Sequence, residues 1–307
     1  MTHTYIGVDI SGDYLHIHDP DAGETRIANV PAPLRRWLAG LGPRPACLVF
    51  EATSRCDRLL RSEATAAGVA FARVNPLHGW HFAQSLNRPK TDRTDAAVLA
   101  QMGAERRLAP TPEPAPAVQE LGQLARRRDQ LKRMETQEKN RLAEAAPALV
   151  RADIRAVLDV LGRRIARVEA AIRAHLSAHP ALKEQAALLS TIPGVGQVTA
   201  VTLLAHLPQL GALDRRQVAS LGGLAPRAKE SGRLKGQRRL GPGRRHVRKS
   251  LYMAALSGLR HPHLFGGMAT RMRAKNKPGK LIAIAIARKI LTIANAILRT
   301  GKPFKEA

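Results

Sequence analysis

The stretch Thr4-Tyr5-Ile6-Gly7-Val8-Asp9-Ile10, followed by the turn Ser11-Gly12-Asp13 and by Tyr14-Leu15-His16-Ile17-His18-Asp19, decides the fold. Two runs of strand length joined by so short a turn predict a hairpin, and the first run ends on a carboxylate, Asp9. Downstream, Ala46–Phe50 is a continuous apolar run of the length of a buried strand, and it too closes on an acid, Glu51. A helix is expected over Arg58–Ala67, broken by Gly68, and a further strand over Val69–Val74, ending at Asn75-Pro76. Trp80 and His81 then read as loop or packing residues, with nucleic-acid contact as the alternative. In the segment Thr91–Ala100, Asp92 and Asp95 are three residues apart at a helix start, which sets both on one helical face. These elements predict an α/β domain over residues 1–110 with two strand-end acids and two helical acids at one sheet edge.

Four carboxylates in one pocket resist ionisation together unless a cation neutralises them. Hard oxygen donors suit Mg²⁺ or Mn²⁺. Asp13 is an alternative acid beside Asp9, although a turn aspartate is more often simply solvated.

Composition points to the partner. The 307 residues hold 50 Lys and Arg against 24 Asp and Glu, a formal charge of +26, with a pI near 11.4. So large an excess exceeds what solubility requires and predicts a polyanionic ligand, nucleic acid first. The long apolar stretch Leu281–Leu298 carries Arg288 and Lys289 at its middle with amphipathic helical spacing, which argues against a membrane span. With two Trp, three Tyr and five Phe, extensive stacking on single strands is not expected as the main source of affinity. Two cysteines, Cys47 and Cys56, form neither a disulfide framework nor a metal knuckle, and a strand begins at once at Thr4, so a cytoplasmic, nucleoid-associated protein is expected.

After the Pro-rich Pro110–Pro116, charged helical sequence runs to a break at Pro147. Ile154, Leu158, Leu161, Ile165, Val168 and Ile172 then recur at alternating steps of four and three. Such a seam predicts a helical, coiled-coil-like connector over residues 111–180, either a hairpin packing on its own domain or a dimerisation arm.

A third, mostly helical section is expected over residues 181–307. Its Pro193-Gly194-Val195-Gly196 turn resembles a helix-hairpin-helix element, where backbone N–H groups at Gly194 and Gly196 would bind phosphate without reading sequence. The alternative is a plain helical turn whose glycines only allow close packing. Residues 215–249 then hold 12 Lys or Arg against one acid, Glu230, and their interspersed glycines predict loops carrying charge to a phosphate backbone. Ser231 lies among Arg227, Lys229, Arg233 and Lys235, a field that would stabilise an alkoxide and hold a phosphodiester; Arg238, Arg239, Arg244, Arg245 and Arg248 extend the same surface. A Ser-Gly pair in a loop is also an ordinary turn.

Taken in order, Asp9, Glu51, Asp92-x-x-Asp95, Ile192-Pro-Gly-Val-Gly196, Gly223-Leu-Ala-Pro-Arg-x-x-x-Ser231-Gly232 and Arg248-x-x-Leu-Tyr-Met-Ala resemble a family of bacterial insertion-sequence transposases that includes the Piv-type DNA invertases. The resemblance covers nearly the whole chain, including the tail Lys277-Pro-Gly-Lys280 and Ala287-Arg-Lys-Ile-Leu. It implies an RNase H-like (RuvC-like) domain whose DEDD tetrad, Asp9, Glu51, Asp92 and Asp95, binds metal. It further implies a C-terminal domain in which Ser231 joins covalently to cleaved DNA, a bridge RNA as guide in parts of the family, and dimers pairing into a tetramer with one subunit's acids serving another's serine. Many relatives place a small residue and a lysine after the first acid, where this chain has Ile10-Ser11-Gly12-Asp13. A RuvC-like nuclease that uses water, with Ser231 structural, is the competing enzyme, and a nucleic-acid-binding protein with an inactive RNase H-like domain is the non-enzymatic alternative.

Overall fold

The computed structural model describes residues 3–52, 56–86, 92–227, 230–231, 234–235, 239–260 and 262–305. The chain divides into two compact units, Met1–Glu113 and Pro114–Ala307.

In the first unit, β1 (Thr4–Ile10), β2 (Tyr14–Asp19), β3 (Gly23–Ala28), α1 (Pro31–Gly40), β4 (Ala46–Glu51), α2 (Asp57–Ala66), β5 (Ala70–Val74), α3 (Pro76–Ser85) and α4 (Asp92–Arg106) follow in order. The strands form one sheet ordered β3-β2-β1-β4-β5. β1, β2 and β3 are an antiparallel meander, whereas β4 and β5 run parallel to β1. The Ser11 turn is held by the Ser11 amide, which donates to the Tyr14 carbonyl at 2.9 Å.

Strand alternation sorts the two faces. Ile6, Val8, Leu48 and Phe50 pack with Leu34 and Leu38 of α1 and Leu60 of α2. Residues of opposite parity, Cys47 and Val49, pack with Phe82 of α3 and Val98, Leu99 and Met102 of α4. Helices therefore cover both faces. Strand β3 lacks apolar alternation, and helix α1 was not anticipated from the sequence although Leu34, Trp37, Leu38 and Leu41 recur at helical spacing and pack on the face of Ile6 and Val8. Trp80 and His81, expected in a loop, lie on α3, which Asn75 starts by accepting from the Leu77 amide at 3.0 Å, with Pro76 at the first helical position.

The second unit begins with α5 (Pro116–Glu144) and α6 (Ala148–Ala178), paired as a hairpin. Leu131, Leu161 and Ile165 form its distal seam, and Leu121, Ala125, Ile172 and Leu176 join the main core. Next come α7 (Pro180–Ser190), α8 (Gln197–His206), α9 (Arg215–Leu221), the two-residue strands β6 (Pro226–Arg227), β7 (Glu230–Ser231), β8 (Leu234–Lys235) and β9 (Arg239–Leu240), and then α10 (Arg245–Gly258), α11 (Pro262–Ala274) and α12 (Gly279–Thr300). The basic stretch read as loops thus contains α9, four minimal strands and the start of α10.

Helix α12 is long and apolar enough to cross a membrane, but half of its apolar window is buried within this unit. Ile282, Ile286, Ile290, Leu291 and Ala294 place it in the centre of the core.

Candidate active site and nucleic-acid interface

Asp9 shares the parity of Gly7, and Glu51 that of Cys47 and Val49, so both acids belong to the sheet face covered by α3 and α4. The parallel register pairs Gly7 with Val49. Two residues further along, Asp9 and Glu51 end adjacent strands side by side. Two glycines let helices approach this edge. A Cβ on Gly7 would lie 1.8 Å from the Ala96 carbonyl oxygen and 2.7 Å from the Ala100 nitrogen, so α4 sits directly on β1 and brings Asp95 to the strand end that carries Asp9. A Cβ on Gly79 would lie 2.5 Å from Glu51 Oε1, so the Glu51 carboxylate rests over α3 where a side chain is missing.

Asp9, Glu51 and Asp95 are all half-buried and all engaged in further polar interactions. The backbone of Asp92 opens α4. Among the described residues, no three His, Cys, Asp or Glu side chains are grouped closely enough to hold one metal ion. What the fold supplies is two hard oxygen donors, Asp9 and Glu51, at the ends of adjacent strands, with α4, which carries Asp95, seated on β1; carboxylate donors of this kind suit a hard divalent cation. The sequence reading missed His16, which pairs with Asp9 across the antiparallel β1–β2 register. The signal was present, because a two-strand register follows from the Ser11 turn.

In the second unit, α7 and α8 flank the 191–196 turn. Gly194 adopts φ +85°, and a Cβ there would meet the Ala254 carbonyl oxygen at 2.4 Å, so this glycine lets the turn pack against α10. Gly196 caps α8 in an extended conformation and is exposed, together with Gln197 and Val198.

The basic side chains divide by role. Arg244 donates through Nη1 to the His206 carbonyl and, at 3.1 Å, to Gln209 Oε1. Arg248 donates to the Gly223 and Gly241 carbonyls, each at 3.3 Å. Both tie the fold together. Arg239 and Arg245 are exposed. Ser231 lies in β7, paired in register with Leu234, and Glu230 pairs with Lys235; β6 pairs with β9 through Arg227 and Arg239. Lys229, Arg233 and Arg238 lie outside the described residues.

An anchor missed in the sequence sits beneath this region. His206 stacks on His246 with ring centroids 5.1 Å apart, and His246 Nδ1 meets Asp129 Oδ2 at 2.8 Å. Burial, reinforced by the charges of His246 and Arg126, pulls the His206 pKa down to about 4.

Comparison with known proteins places the chain in a family. The chain matches the IS110 DEDD transposase domain over residues 6–149 and the transposase IS116/IS110/IS902 family over residues 186–267. It is 33% identical over 319 residues to the pilin gene-inverting protein of Moraxella bovis, an alignment covering 99% of this chain and 98% of that protein. The chain belongs to the IS110 family of transposases. The pilin gene-inverting protein of Moraxella lacunata is equally similar, at 33% identity over the same shares. An uncharacterized 43.6 kDa protein of insertion element IS110 from Streptomyces coelicolor is 29% identical over 136 residues, 44% of this chain and 33% of that protein. Family membership makes the chain a DNA transposase or recombinase, with DNA as its partner.

Proposed function

We propose that this IS110-family enzyme cuts and rejoins DNA with Asp9, Glu51, Asp92 and Asp95 as metal ligands and Ser231 as nucleophile. The observation that carries the reading is the side-by-side placement of Asp9 and Glu51 at the ends of β1 and β4, with α4 seated on Gly7. The strand order β3-β2-β1-β4-β5, with helices on both faces, supports an RNase H-like, RuvC-like domain. Residues 1–110 form that domain in this reading, 111–180 a connector and 181–307 the transposase domain, and the α7–turn–α8 unit with Gly196 at its cap supports a helix-hairpin-helix-like phosphate contact.

Asp9, Glu51, Asp92 and Asp95 would hold a divalent cation, Mg²⁺ or Mn²⁺, which when bound would supply charge neutralisation at the scissile phosphate and the leaving oxygen. The Ser231 oxygen attacks phosphorus and gives up its proton, a strand P–O bond breaks, and the departing oxygen leaves as a hydroxyl. A hydroxyl of the new partner strand later attacks the phosphoserine and restores Ser231. The bond energy is conserved, so rejoining needs no nucleoside triphosphate. A guiding bridge RNA is in keeping with the +26 charge. Assembly as dimers and tetramers draws support from Leu149, Val150, Val157 and Val160, left exposed on α6. A cytoplasmic, nucleoid-associated location accompanies DNA as the partner.

Replacing Asp9 by Asn removes a metal ligand without removing a phosphate contact. Cleavage of supercoiled plasmid with Mg²⁺ should fall by roughly a thousandfold while DNA affinity stays within about threefold. A loss of binding as large as the loss of cleavage would contradict the assignment.

A further inference from the structure

A cleft of about 720 Å³ opens in the second unit between the start of α9, the β6–β9 pair, α11 and α12. Six cations line it: Arg215, Arg239, Lys277, Lys280, Arg288 and Lys289. No carboxylate among the described residues lines it. Among the described residues none of these six is in a salt bridge, whereas Arg35, Arg44, Arg73 and Arg128 each hold an acid. Six like charges around one concavity repel each other until an anion enters, so the arrangement costs stability in the empty state.

The rest of the lining has a different chemistry. Leu224, Met268, Leu281 and Ile284 are apolar, and Leu281 is 45% exposed although it lies on the main core helix. The cations are exposed apart from the half-buried Arg288, while Leu224 is buried and Met268 and Ile284 are half-buried, so a cationic rim surrounds an apolar floor. That arrangement matches a ligand that carries anionic and apolar parts together. The volume falls within the range of sites that enclose small ligands, about 300–1,000 Å³. A duplex presents phosphates outside and stacks its bases inside, so it would meet the rim and leave the floor untouched. An unpaired nucleotide presents both parts, its phosphates to the rim and its base to the floor. Position favours the same ligand, because Pro226 and Leu240 line the cleft and belong to the strand pair that closes the excursion bearing Ser231.

We propose that this cleft receives an unpaired nucleotide of the nucleic acid on which the enzyme acts. The inference rests on DNA as the partner and is independent of the metal tetrad and of the role of Ser231.

Fluorescence anisotropy of the full chain with a labelled single-stranded oligonucleotide, and with its duplex, tests it between about 50 and 200 mM salt. The double variant Lys280→Ala, Arg288→Ala should weaken single-strand binding roughly tenfold and lower the salt slope by about 1.4. Leu281→Ser should weaken single-strand binding about threefold with an unchanged slope while leaving duplex binding within about twofold, since a duplex does not reach the floor. Circular dichroism checks that each variant is folded. Equal losses for single strand and duplex in Leu281→Ser would overturn the proposal in favour of a general surface. So would full single-strand affinity in both variants, or displacement of the oligonucleotide by an acidic peptide at equal concentration. Because Asp9 and Ser231 are intact in these variants, failure here leaves the catalytic reading standing, and an inactive Asp9→Asn enzyme leaves the cleft test readable.

Discussion

The acidic edge of the sheet and the basic stretch from Arg215 to Lys249 are built in opposite ways. Asp9 and Glu51 end strands locked by register on both sides, and close helix contacts at Gly7 and Gly79 fix their surroundings. The cations are carried by a seven-residue helix, four two-residue strands and the first turns of α10. Ligand geometry at a metal tolerates errors of tenths of an ångström, whereas a phosphate backbone responds mainly to summed charge. Rigid elements hold the acids, and short elements suffice for the bases.

The basic stretch still needs an anchor, and acid should loosen it. His206 is neutral in the fold, with its pKa pulled from 6.5 to about 4 mainly by burial. Its stabilisation is therefore complete above pH 6.5 and is lost as the pH falls towards 4, because the unfolded chain takes up the proton first. Chemical denaturation should show a drop of about 2–3 kcal/mol across that window. In His206→Phe much of the slope should disappear; an unchanged slope would mean that other groups carry it.

At the acidic edge, Gly79→Ala sharpens the contrast. The added methyl would press on Glu51 Oε1, so Mn²⁺ affinity by calorimetry should drop roughly tenfold with little loss of stability. Shortening the acid, Glu51→Asp, in the Gly79→Ala background should recover part of that affinity. If the double variant binds metal no better, Gly79 does not act through Glu51.

The smallest effect belongs to single cations. Arg239 is exposed, and Arg239→Ala should weaken DNA binding only a few fold while lowering the salt slope by about 0.9. A tenfold loss confined to one DNA sequence would instead make Arg239 a base contact.

The strand-end acids were legible because each closes an apolar run, and α4 because Asp92 and Asp95 sit at a helix start. Gly7 and Gly79 were not, since a missing side chain acquires meaning only when another element lies against it. Helix α3 hid behind Asn75-Pro76, which reads as a strand stop and serves equally as a helix cap. The pairing of Asp129 with His246, 117 residues apart, and the stacking of His206 left no periodic trace. The cleft cations were scattered for the same reason, because Arg215, Lys277 and Arg288 converge only through tertiary packing. Arg244 and Arg248 looked identical to Arg239 and Arg245 in sequence, and only their hydrogen bonds to carbonyls separate structural from exposed arginines.

The most direct test of the central claim is to incubate the protein, with Mg²⁺ and RNA copurified from the native element, on supercoiled plasmid and resolve the products by denaturing electrophoresis. A protein–DNA adduct that forms with the native sequence and vanishes in Ser231→Ala is the predicted result. Cut DNA without an adduct, with cleavage surviving Ser231→Ala, would contradict the serine mechanism and point to a RuvC-like nuclease that uses water.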